Sequence, residues 1–218
     1  MKSDELLQHI LVTYFIQRLG MAALALIFPL VLLFGGGLQE LPKQNSMSAY
    51  YFAGDGLMRD WFVAFLCVIG VFLYLYKGFS NKENVALNIA GACAVGVAMI
   101  PMAWGCDPCP GFTLHGFCAV TLFLCLAYVC IWRAKDTLHL MKKRKLAEYF
   151  KWIYKLLGVA MIVLPLTSFF LSYQAGNKED VFFVEASGVW VFSVYWWMKS
   201  YELNHHFENR IHIEQLEI

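Results

Sequence analysis

Six apolar runs, each close to the length of a membrane crossing, divide this 218-residue chain. A spanning helix needs roughly 20 mainly apolar residues, because the hydrocarbon core is about 30 Å thick and each helical residue rises about 1.5 Å. The runs cover about 19–38, 60–76, 85–104, 112–132, 152–173 and 181–198. A helix on a soluble protein would interrupt them with a polar face. Charge points the same way: 15% of residues are charged, against about 25% in a soluble domain. The runs predict an all-α polytopic integral membrane protein. Its expected form is a six-transmembrane-helix bundle in a single domain, 1–218.

Lys and Arg placement orients the bundle, since these residues collect on the cytoplasmic side. With the N-terminus inside, all but three of the 17 Lys and Arg fall on the inner segments; the exceptions are Lys43, Arg59 and Lys178. The expectation is therefore N- and C-termini cytoplasmic, in an integral membrane protein of an inner (plasma) membrane. Residues 4–17 are amphipathic, with Leu7, Ile10, Leu11 and Tyr14 at helical spacing. They read as an interfacial helix leading into the first span. The chain start lacks a basic n-region before a clean apolar stretch, so the first span is expected to remain as an anchor. Residues 199–218 read as a cytoplasmic tail. Net charge is +1, which gives no pull toward nucleic acid.

Ionisable groups are expensive in lipid, so each one within a span asks for a reason. Asp60, His115 and Glu185 begin the second, fourth and sixth spans, which all start outside. They share one depth. If the even-numbered helices are neighbours, the three side chains converge as a catalytic acid–base set or as ligands for a divalent metal such as zinc. The competing reading is that Asp60 and Glu185 only complement helix N-termini, while His115 bonds a backbone carbonyl.

The loop before the second span reads Ser46-Met47-Ser48-Ala49-Tyr50-Tyr51-Phe52, followed by Arg59-Asp60-Trp61-Phe62-Val63. Tyrosines beside serines suit a membrane interface, where the ring meets headgroups and the hydroxyl stays wet. One reading folds this loop over the outer mouth, with Ser48, Tyr51 and Arg59 as ligand-binding residues. The other is an aromatic belt alone. Together with Tyr76-Lys77-Gly78, these strings resemble a group of uncharacterised bacterial six-span membrane proteins, distantly similar to DRAM-like families. That resemblance implies the six-span architecture and no activity. A weaker similarity, through Ser48 and Asp60, is to ceramidase and progestin-receptor-like membrane hydrolases. Phe52 stands where their histidine would be, and the sixth span has no His pair.

Cys106 and Cys109 flank Asp107-Pro108 in an outer loop. They read as a disulfide in an oxidising compartment, with a redox pair partnered by Cys118, free thiols and metal binding as alternatives. The run Lys142-Lys143-Arg144-Lys145 faces anionic headgroups. Ala90, Ala94 and Ala98, with Gly91 and Gly96 nearby, form a small-residue stripe that lets helices approach closely. The chain carries no Walker-type loop, nucleophile elbow or dinucleotide fingerprint.

The expected function is a polar site near the outer interface that binds, or modifies, a lipid or amphiphilic small molecule. The alternatives are an oligomeric ion channel or transporter, and a non-enzymatic scaffold for a partner protein. Expected partners are membrane lipids, and either a second copy of the chain or a membrane partner protein.

Overall fold

The computed structural model describes residues 2–106, 113–141, 143–174 and 181–214. These residues form six α-helices and no strand: α1 (Lys2–Leu38), α2 (Leu57–Leu75), α3 (Asn81–Met99), α4 (Leu114–Tyr128), α5 (Arg144–Gln174) and α6 (Phe182–Glu214). Four helical stretches among the described residues are long and apolar enough to cross a membrane: Gln8–Leu38, Leu57–Leu75, Leu114–His139 and Arg144–Ser168. The integral-membrane reading is consistent with this. α1 is unbroken, so the amphipathic segment expected at the interface continues into the first span as one helix.

Local chemistry sets the helix ends. Ser80 caps α3, its hydroxyl accepting from Glu83 N at 3.2 Å, while Glu83 Oε2 accepts from Phe79 N at 2.9 Å. This is a side-chain-for-backbone exchange that satisfies orphan amides at a helix start. Pro101 ends α3, since the residue before a proline is driven out of the helical region; Ile100 is extended. α4 closes differently. It widens into a π turn (Val129–Arg133) and then tightens into a 3₁₀ helix (Ala134–Leu140).

The end of α1 turns through Glu40, whose φ is +57°. A left-handed residue after a helix is usually glycine, because any Cβ strains there. Glu40→Gly is expected to raise stability by about 0.5 kcal/mol, with strain relief only partly offset by unfolded-state entropy. Thermal unfolding in detergent reads the shift.

Each helix packs chiefly on its chain neighbours, and α6 packs back on α1, so the bundle closes as a ring. The seam between α1 and α6 is tied by Ser193 Oγ donating to Ala22 O at 2.6 Å and Trp190 Nε1 donating to Leu26 O at 3.2 Å. One core cluster draws on every helix, with Met21, Leu73, Leu87, Leu126, Met161 and Trp196 among its members. A second, nearer the other end, gathers Phe28, Tyr50, Phe62, Ala98 and Phe182. The small-residue stripe of α3 is buried: Ala90, Ala94 and Ala98 are each fully covered. Beside it, α2 and α3 cross backbone to backbone, since a Cβ added to Gly91 would stand 2.5 Å from Gly70 O.

Candidate functional site

The segment Asn45–Phe52 closes one end of the ring. A short 3₁₀ helix, Ser48–Phe52, buries Ala49 and Tyr50. Gly36 on α1 makes room for the Tyr50 ring, whose Cε1 would lie 2.9 Å from any Cβ placed there. Two other helices hold the segment. On the α6 side, Asn45 O accepts from Val181 N (2.7 Å) and Phe182 N (2.9 Å), which satisfies the exposed amides of the α6 start. Glu185 Oε2 accepts from Met47 N at 2.7 Å, and Ser168 Oγ on α5 approaches Oε1 at 3.4 Å. On the α4 side, His115 Nε2 meets Ser48 Oγ at 3.1 Å.

The other His115 nitrogen, Nδ1, lies 2.7 Å from Ile100 O. A carbonyl only accepts, so Nδ1 carries the proton and Nε2 presents a lone pair. Nε2 therefore accepts from the Ser48 hydroxyl. A hydroxyl on a base whose far nitrogen is oriented by a fixed acceptor is the arrangement of an activated nucleophile. His115 itself is buried, while Ser48 is partly open. Phe52, 39% exposed, and Trp104, 50% exposed, stack at 5.3 Å with 14° between their planes. They make an apolar ledge beside the polar contact. Tyr51 packs edge-on against Phe52 at 5.1 Å.

Two of the three expected acid–base residues, His115 and Glu185, thus grip the same segment from opposite helices. Asp60 does not join them. Its side chain is 71% exposed and pairs with Arg59 at 3.5 Å. Its helical neighbours Met58 and Phe62 turn inward, which places Asp60 on the outer face of α2. Arg59 is accordingly engaged by its neighbour in sequence. Of the other acids on that side, Glu185 is engaged by Met47 N and Ser168, and Asp107 and Asp180 lie outside the described residues. No group of three or more His, Cys, Asp or Glu among the described residues stands close enough to hold a metal ion. The expected metal set Asp60, His115 and Glu185 is therefore not gathered, because equal depth does not give equal azimuth. Cys106 is disulfide-bonded, and Cys109 lies outside the described residues. Cys118, weighed as a redox partner, is free.

A second polar cluster, absent from the sequence reading, occupies the opposite end of the ring. Lys199 Nζ donates to Ala134 O (2.8 Å), to Thr137 Oγ1 (2.5 Å) and to Glu202 Oε2 (2.9 Å). Glu202 also accepts from Thr137 Oγ1 and from Tyr154 OH, each at 2.5 Å. The Lys199 and Glu202 side chains are only 2% and 1% exposed. The network ties the 3₁₀ helix after α4 to α5 and α6. Nearby, the Arg18 guanidinium stands against the Tyr76 hydroxyl, and Tyr76 packs edge-on against Trp196 at 4.8 Å. The sequence signal was faint: an i,i+3 charge pair directly after Trp196-Trp197-Met198 looks like the start of a solvated tail. It is buried only because the 3₁₀ helix folds under it.

Compared with protein-family models, curated proteins and solved structures, the chain matches none.

Proposed function

We propose that the chain is a six-span membrane protein of a bacterial inner membrane with both termini cytoplasmic, and that the mouth sealed by Asn45–Phe52 binds a lipid or other amphiphile at the outer interface. Support for six spans comes from the ring. α3 lies between α2 and α4, and α6 between α5 and α1; a helix flanked by two crossings in one ring crosses with them. The Lys and Arg bias sets the direction. The observation that carries the binding reading is the pairing of Ser48 with His115 at 3.1 Å beside the exposed Phe52–Trp104 stack. A polar contact next to an apolar ledge matches a molecule with a head and a tail. Kinship with the uncharacterised bacterial six-span proteins belongs to the same proposal.

Topology is read with a membrane-impermeant maleimide on intact cells. After mild reduction, Cys106 labels from outside; labelling only after lysis overturns the orientation. Binding is read with a fluorescent lysophospholipid on purified protein. His115→Ala removes the group that orients the Ser48 hydroxyl; if the head group then loses one hydrogen bond of about 1–1.5 kcal/mol, Kd rises about tenfold. Phe52→Ala weakens binding similarly, by loss of the ledge. Unchanged affinity in both variants removes the site from this mouth.

The His115 tautomer favours one further reading, acyl transfer through Ser48. A serine-directed fluorophosphonate should label Ser48 in the wild type and not in His115→Ala. No labelling of wild-type protein leaves binding as the whole function of the pair.

A further inference from the structure

On the outside of the ring, α3 and α4 leave a groove of about 560 Å³ between them. Val85 and Ile89 line it from α3, and Leu124 and Cys125 from α4. Ala86, small and buried, lies at its floor on the α3 side. Lys82 and Asn81 stand at one end. Both are exposed, and no described residue pairs with the Lys82 ammonium. Glu83, the acid of that first turn, is buried and committed to Phe79 N, so it does not neutralise Lys82 at the groove. Amides at the α3 start add a partial positive charge at the same end.

The level of that end is marked independently. Tyr128, also at the groove, stacks on Trp132 at 5.6 Å, and Trp132 is exposed. Tryptophan and tyrosine collect at the headgroup level of a bilayer. Lys82 therefore stands at the interface, and the apolar trough runs from it into the hydrocarbon. From Lys82 to Ile89 the helix rises about 10 Å, which is acyl-chain territory. Plain lipid-facing surface distinguishes no lipid from another; a shallow apolar groove ending in a cation that no described residue pairs with does.

We propose that this groove holds an acyl chain of one anionic glycerophospholipid, its phosphate at Lys82, in the leaflet on the side of the chain termini. The proposal rests on the chain crossing a membrane and not on the amphiphile site at the opposite end. The test is native mass spectrometry of the purified protein with phosphatidylglycerol or phosphatidylcholine of matched chains. Wild type should retain one phosphatidylglycerol at least about tenfold more strongly than phosphatidylcholine. Lys82→Glu should abolish that preference and Lys82→Arg should keep it. Val85→Trp, which fills the slot and leaves the cation, should lose the bound lipid altogether. Phe52→Ala should change none of this, which separates failure here from failure at the other mouth. Equal retention of both lipids, or a preference that survives Lys82→Glu, overturns the proposal. Displacement by free glycerol phosphate would assign Lys82 to a soluble phosphate and overturn the lipid assignment. A membrane protein that copurifies and is lost in Val85→Trp, with no lipid retained by wild type, would give the groove to a partner helix and overturn it too.

Discussion

Lys199→Met is expected to destabilise the folded bundle by about 3–5 kcal/mol, the usual result of removing one partner of a buried ion pair. The change leaves the Glu202 carboxyl without its cation in a place that is 1% exposed, and it strips Ala134 O and Thr137 of a donor. Tyr154 and Thr137 still donate to the carboxylate, but two neutral hydroxyls do not replace an ammonium. The double variant Lys199→Met/Glu202→Gln removes the charge and keeps one acceptor oxygen for one hydroxyl, while its amide NH2 donates to the oxygen of the other. It should recover about 2 kcal/mol of the loss, a coupling expected only between residues in one network. Thermal unfolding in detergent, run on both single variants and the double, closes the cycle. A single variant within about 0.5 kcal/mol of wild type would mean that water reaches this end of the ring freely.

Gly91→Val should be comparably damaging for a different reason. A Cβ there meets Gly70 O at 2.5 Å, Tyr74 N at 3.0 Å and Tyr74 Cβ at 3.2 Å. Two of those atoms are backbone, so no rotamer change relieves the clash and α2 must move off α3. Overpacking of a tight contact costs about 3 kcal/mol, and here the displaced helix also carries the buried Leu73 and Tyr76. Gly91→Ala tests the same contact with the smallest side chain and should already lower the unfolding midpoint clearly. Ala92→Gly, one position away on the exposed face of the same helix, should cost only its helix propensity of about 1 kcal/mol and serves as the control. A Gly91→Val protein as stable as wild type would contradict the close crossing.

The helices were legible because a long apolar run has few alternatives. Their ends were less legible: the apolar run 85–104 passes through Pro101 and starts after the Ser80 cap, whereas α3 spans Asn81–Met99. The stripe Ala90, Ala94, Ala98 was also readable, since small residues at that spacing have packing as their ordinary use. Direction around a helix axis was not readable. Asp60 lies in the first turn of α2 and His115 in the first turn of α4, but only His115 turns inward. Sequence gives depth, and azimuth depends on which neighbours the helix meets. The Ser48–His115 contact joins residues 67 positions apart, so no local pattern announces it. The Lys199–Glu202 network was hidden for the opposite reason. Its residues look like tail, and their burial depends on the 3₁₀ helix Ala134–Leu140 inside a stretch that reads as a basic loop.

Binding of an amphiphile at the mouth formed by Asn45–Phe52 is tested most directly by a photoreactive lysophospholipid, cross-linked to the protein in right-side-out vesicles and mapped by peptide mass spectrometry. Adducts are expected to concentrate at Phe52 and Trp104, to be competed by unlabelled lysophospholipid and to be reduced in His115→Ala. Adducts spread evenly over the lipid-facing helices, or none at Phe52 and Trp104 above the level seen with competitor, would contradict it.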